Sequence, residues 1–215
     1  MMTKIANSAY CDILCRFFDA HFLDAKCALE YQKNYELVIA VMLSAQAKDE
    51  RVNAVDKILF KKYPNLKSLK NADINEIENI IKPLGLAKRK ANNIKMIASL
   101  LLDECDGIVP HDANYLLTLP GIGNKAKNVI LIELFNDEEF PVDTHVYRVS
   151  YRLGLREETD DVIRCENKLR KFFSNHSYKK LHHQMIAFGR TICKAKSPNC
   201  QNCELKDYCR YFKSR

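Results

Sequence analysis

Apolar residues recur at three- and four-residue intervals along almost the whole chain, and that period predicts helices. Ile74, Ile77, Ile80 and Ile81 form one stripe, as in a helix that buries a single face. Asp73 precedes it with Glu76 three residues on, a pairing that predicts a reciprocal capping box. Ala91, Ile94, Ile97, Ala98, Leu101 and Leu102 form a second stripe. It is predicted to end near Asp106-Gly107, where glycine reaches the left-handed turn that closes a helix. The same period predicts helices over about Lys4–Ala20, Glu36–Gln46, Arg51–Tyr63, Lys125–Phe135, Thr144–Leu153, Val162–Phe173 and Leu181–Cys193. Alternating runs bounded by turn residues are missing, so the expected fold class is all-α.

Composition narrows the setting without naming a function. A chain of 215 residues that is 47% hydrophobic can bury one sizeable core or two small ones. No run approaches the roughly 18 apolar residues that cross a bilayer. The first ten residues lack the apolar core of a signal peptide. A soluble protein of the cytoplasm is therefore expected, with no membrane partner. Lys and Arg exceed Asp and Glu by 34 to 27, a formal charge of +7. This suits a nucleic-acid partner but does not establish one. Nine cysteines cannot all pair with one another. In a reducing compartment, clustered cysteines point to metal and scattered ones to apolar packing.

Three short segments carry chemistry. In Leu119-Pro-Gly-Ile-Gly-Asn-Lys125, two predicted helices meet at a glycine-rich turn. Gly121 and Gly123 permit a tight hairpin and let backbone N–H groups approach a phosphate beside a helix N-terminus. Ile122 is expected to plug the hairpin into the core. In Pro141-Val-Asp-Thr-His145, Asp143 is a favoured N-cap for the helix that follows. Arg148 and Arg152, one turn apart on that helix, are expected to meet phosphates or pair with acidic residues. Cys193, Cys200, Cys203 and Cys209 are too clustered for core packing. Four thiolates at this spacing suit zinc or an iron–sulfur cube, and ligand chemistry alone does not choose. Cys11, Cys15, Cys27, Cys105 and Cys165 show no ligand spacing and are expected to pack.

Together these segments resemble the endonuclease III family of helix-hairpin-helix DNA glycosylases, over roughly Tyr31 to Cys209. The resemblance implies a bifunctional DNA glycosylase and apurinic/apyrimidinic lyase of base excision repair. Lys125 matches the family's nucleophile, which attacks C1′ of a damaged nucleoside and forms a Schiff base leading to β-elimination. An ordinary lysine is almost wholly protonated near neutral pH, so burial, the helix dipole or nearby cations are expected to assist it. Asp143 matches the second catalytic residue. Cys193, Cys200, Cys203 and Cys209 match the ligands of a [4Fe–4S] cluster in a loop spanning 193–209. DNA contacts are implied for Gln46, in Leu43-Ser-Ala-Gln-Ala47, as the wedge that fills the gap left by an extruded nucleotide. They are implied also for Leu86, Gly121, Gly123, Thr144, His145, Lys194 and Lys196. The expected partner is double-stranded DNA with damaged or abasic nucleotides, bound by a nucleoid-associated monomer.

The implied architecture has two helical domains with the DNA cleft between them. One is a six-helix unit over 27–137 containing the helix-hairpin-helix of about 114–135. The other combines 1–26 with 138–215 and holds the cluster. Oxidised pyrimidines such as thymine glycol are the expected lesions. The rival readings are an adenine-mismatch or other monofunctional glycosylase and a non-catalytic helix-hairpin-helix DNA-binding protein. Lys125 beside Gln46 disfavours the first, and the joint presence of Lys125 and Asp143 disfavours the second. Asn124, Ala126-Lys127, Lys48 and Phe188 depart from the usual family residues, which makes substrate preference less transferable.

Overall fold

The structure is a computed structural model that describes residues 4–214, with side chains from residue 8 onward. Twelve α-helices are present among the described residues, and no strands. Their order is α1 (Lys4–Phe22), α2 (Asn34–Leu43), α3 (Asp49–Lys62), α4 (Leu66–Asn71), α5 (Ile74–Ile81), α6 (Ala87–Glu104), α7 (Ala113–Thr118), α8 (Asn124–Phe135), α9 (Thr144–Arg152), α10 (Val162–Phe172), α11 (Tyr178–Thr191) and α12 (Arg210–Lys213). Short 3-10 turns occupy 82–84 and 206–208. No helix is long and apolar enough to cross a membrane.

The chain divides into two compact units, residues 27–135 and residues 1–26 with 136–215. In the 27–135 unit, α2 is buried from Tyr35 to Leu43 with no polar face of its own, as a central helix must be. It packs against α3, α6 and α8, while α4 and α5 cover α6. The two predicted stripes supply the core. Ile77, Ile81, Ala91, Ile94, Ile97, Ala98 and Leu101 are buried, with Ile74, Ile80 and Leu102 partly buried at its edge. Each large aliphatic side chain so placed contributes about 1.5–3 kcal/mol. In the other unit, α11 packs against α1 and α9, and α9 also meets α10 and α12. Its core is more aromatic, with Phe18, Phe140, Phe173 and Phe188 fully buried.

Several local expectations change. Asp73 does cap α5, accepting from Asn75 N–H at 2.8 Å. Glu76 does not complete a capping box. It accepts from the Tyr63 hydroxyl and pairs with Lys62 instead, because a tertiary partner outcompetes the local one. Helix α2 stops at Leu43, three residues short of the predicted Gln46. Helix α4 was invisible to periodicity because it is only six residues long. Its N-cap, Asn65, exchanges hydrogen bonds with Ser68. Asp106 and Gly107 adopt φ of 50° and 78° just after α6, as the glycine led one to expect.

Candidate functional site

In the 27–135 unit, the loops that flank the hairpin are fixed by one buried cation. Lys90 lies on the apolar side of α6 and is 2% exposed. Its ammonium donates to the carbonyls of Leu43 at 2.9 Å, Ala45 at 3.0 Å and Leu84 at 3.1 Å. All three N–H groups are thus used, which a buried ammonium requires. Leu43 O and Ala45 O belong to the end of α2, where a cation is also favoured by the helix dipole. This explains why α2 ends early: the chain leaves the helix to present these carbonyls to Lys90. Burial lowers the Lys90 pKa, with Arg89 adding to the effect.

The clamp joins the two segments that carry the expected wedges. Gln46 has φ of 59° and Leu86 has φ of 54°, a left-handed conformation that is costly for residues other than glycine. Both side chains are exposed, Leu86 by 48%. Leu84, by contrast, is buried beneath its loop. Sequence reasoning missed Lys90, although a charged residue on the same face as Ile94 and Ile97 was a readable signal.

The hairpin shows two different uses of glycine. Gly121 has φ of 84°, and a Cβ there would lie 2.7 Å from Asn93 Nδ2 and 2.9 Å from Met42 Cγ. Gly121 is therefore required by conformation and by close packing. Gly123 needs no left-handed backbone and faces open space, consistent with an approach surface for a ligand. Ile122 is buried and anchors the turn, as expected. Lys125 follows on the first turn of α8 and is exposed. The burial expected around it is absent from this structure.

In the other unit, Asp143 caps α9, its Oδ1 accepting from Val146 N–H at 2.7 Å. The structural and chemical readings of this residue are thus compatible, since the cap uses one oxygen of two. Thr144 is exposed at the start of α9, and His145 is half-buried beside Gly189. A Cβ on Gly189 would lie 3.1 Å from His145 Cβ, so glycine lets α11 approach α9.

Arg148 and Arg152 make no ion pair within salt-bridge distance among the described residues, and their hydrogen bonds go chiefly to backbone carbonyls. Arg148 donates to Gly189 O at 2.8 Å and to Cys193 O at 3.3 Å, and contacts His145 Nδ1 at 3.2 Å. Arg152 is buried, and donates to Lys194 O at 2.7 Å, Ala195 O at 3.2 Å, Cys193 O at 3.3 Å and Cys193 Sγ at 3.4 Å. The rigid guanidinium fork suits several carbonyls of one loop. These arginines therefore hold the start of the cysteine segment through its carbonyls. The Lys194 and Lys196 side chains stay exposed on the loop whose backbone Arg152 grips.

Cys193, Cys200, Cys203 and Cys209 line one pocket together with Leu153 and Phe188. Burial pushes the Cys193 thiol up, and the Arg152 guanidinium beside it works against that rise. Burial likewise raises the Cys203 thiol. Among the described residues, three His, Cys, Asp or Glu ligand atoms lie within 4.8 Å of one another only at Cys11, Cys15 and His176. The four C-terminal sulfurs are therefore spaced more widely than a single zinc would hold them, with Zn–S near 2.3 Å. A pocket lined by four separated thiols fits a larger iron–sulfur cube.

Comparison with known proteins agrees with this geometry. Residues 39–175 match the HhH-GPD superfamily of base excision DNA repair proteins, and residues 193–209 match the iron–sulfur binding domain of endonuclease III. The chain is 39% identical to endonuclease III of Bacillus subtilis over 90% of its length and 89% of that protein. It is 41% identical to endonuclease III of a Synechocystis species, covering 86% and 84% of the two chains. Its fold superposes on a trapped covalent complex of endonuclease III with DNA at a TM-score of 0.90, with 40% identity over 100% of this chain and 99% of that one. A non-covalent endonuclease III–DNA complex matches equally well.

Proposed function

The chain belongs to the endonuclease III family of the HhH-GPD superfamily, and from that premise we propose that Lys125 is its nucleophile and Asp143 its second catalytic residue. It is a DNA glycosylase and apurinic/apyrimidinic lyase of base excision repair, and it carries a [4Fe–4S] cluster. Duplex DNA with oxidised pyrimidines or abasic sites is the proposed substrate, bound by a monomer.

One observation supports the chemical assignment most strongly. Lys125 is exposed on the first turn of α8, directly after a hairpin whose Gly123 leaves open space. Backbone N–H groups at that helix start can receive a phosphate, which would bring the sugar to the amine. The neutral Lys125 Nζ attacks C1′, the glycosidic C–N bond breaks, and the base departs with a proton. The ring oxygen then takes the C1′–O electrons, opening the sugar to a protonated imine. Loss of a C2′ proton expels the 3′ phosphate, and water later releases the amine. Asp143 stabilises positive charge on the sugar and carries protons.

Cys193, Cys200, Cys203 and Cys209 would hold the cluster, which supplies a structural staple for their segment. Lys194 and Lys196 would meet phosphates from that loop. Gln46 and Leu86 would occupy the space vacated by the extruded nucleotide. Thr144 and His145 would support the DNA backbone beside Asp143.

A thymine-glycol duplex tests this reading. Base release followed by cleavage 3′ to the abasic site is expected. Asp143→Asn should slow base release by about 10²–10⁴-fold, the range of a lost acid–base group. Base release that leaves only intact abasic DNA would overturn the lyase assignment.

A further inference from the structure

A second group of metal-ligating side chains lies apart from the four cysteines of the cluster. Cys11 and Cys15 stand one turn apart on α1, and His176 lies in the turn after α10. One ligand atom from each falls within 4.8 Å of the other two. Cys15 and Cys11 are also hydrogen-bonded to each other through their side chains. Three soft donors from segments about 160 positions apart in sequence thus converge on one point.

We propose that Cys11, Cys15 and His176 form a zinc site that ties the N-terminal helix to the turn between α10 and α11. Two thiolates and one imidazole are a donor set that zinc takes readily, with a water completing four-coordination. At Zn–S near 2.3 Å, ligand atoms sit about 3.8 Å apart, so atoms that already lie within 4.8 Å of one another need to close by no more than about 1 Å. Cys15 is partly buried and His176 is exposed. Cys11 is buried at the inner end. Both Cys11 and His176 line an open cleft shared with Ser8, Asp12 and Asn175, which gives an ion a path in from solvent.

The charge around the site is mixed, since Asp12 lines the cleft together with Lys168, Lys171, Arg210 and Lys213. The carboxylates of Asp12 and Asp19 both act on Cys15. Asp19 is held by Lys180 at 2.8 Å and by Gln184 at 2.9 Å, so it supports the site from outside rather than as a ligand. Plain packing accounts for Cys11. It does not account for a second thiol and an exposed imidazole placed on the same point.

The test uses the holoprotein with its iron–sulfur cluster intact. It is incubated with zinc, desalted, and analysed for zinc and iron together. One zinc per chain should be retained by the wild type and lost from Cys15→Ser and from His176→Ala, with iron content unchanged in all three. His176 is exposed and Cys15 is only partly buried, and unchanged iron shows that the fold survives. Zinc should also raise the melting temperature of the wild type and leave that of either variant unmoved. No retained zinc, or equal retention in the variants, would overturn the proposal. Retention of cuprous ion in place of zinc would overturn the metal assignment.

Discussion

The hairpin region and the cysteine segment solve the same problem, holding an exposed loop rigid, by opposite means. Around the hairpin, apolar packing does most of the work. Ile122, Leu84, Leu116 and Leu119 are buried beneath the loops, and a single ammonium, Lys90, gathers three carbonyls. The cysteine segment has few such side chains. Leu205 is the one aliphatic residue fully withdrawn from solvent between Lys194 and Lys213. Its backbone is held by the Arg152 guanidinium on three consecutive carbonyls, and its own Arg210 reaches out to Tyr151 O and Arg156 O. A loop with an apolar floor is stable on its own account. One held by cations on carbonyls needs the further energy of ligand bonds, and four cysteines are placed to supply it.

The sharpest way to break this contrast is Cys203→Ser. Loss of one ligand should release iron and expose residues 193–213 to proteolysis and fast hydrogen exchange. Helices α2, α6 and α8 should keep their protection, because their stability comes from their own core. Equal loss of protection in both units would contradict the contrast.

Arg152→Met should act in the same direction but less strongly. Three loop carbonyls lose their donor, at a cost of about 2–4 kcal/mol. Iron should then be lost faster to a chelator than from the wild type. Lys90→Met makes the matching cut in the other unit, leaving Leu43 O, Ala45 O and Leu84 O unpaired. A stability loss of about 2–3 kcal/mol is expected by denaturant titration, with iron retention unchanged.

The smallest effect concerns Asp56, 2% exposed and without a hydrogen-bond partner for either carboxylate oxygen. Burial, and then the Glu36 carboxylate, push its pKa up to about 7. A raised carboxylate favours the folded state while protonated, so its contribution is complete below about pH 4 and is lost as pH rises through 7. Asp56→Asn should flatten stability across that window and raise it by roughly 1–3 kcal/mol at pH 8. A variant no more stable than wild type at pH 8 would show that Asp56 is not an isolated buried acid.

What the sequence disclosed follows from the range of each interaction. The stripes of α5 and α6 were legible because helical burial repeats every three or four residues. The turn at Gly121 was legible because a tight hairpin leaves a compositional mark. Partners distant in sequence were not. Glu76 had a plausible local target, and only the fold brings Tyr63 and Lys62 to it. Arg148 and Arg152 were readable as two cations on one helix face, whereas their carbonyl partners lie some forty residues on. Cys11 and Cys15 read as packing residues, and Cys11 is buried in the core with Cys15 packed against it; only the fold brings the imidazole of His176 near them. Lys90 left a weaker trace, a charge on an apolar stripe, that periodicity treats as noise.

The central claim is that an amine at position 125 becomes covalently joined to the sugar. Borohydride reduction during reaction with a thymine-glycol duplex tests it most directly, because it converts the imine to a stable protein–DNA adduct. The wild type should give that adduct, and Lys125→Gln should give none while retaining its iron and its affinity for DNA. An adduct that persists in Lys125→Gln, or its absence from an active wild type, would contradict the account.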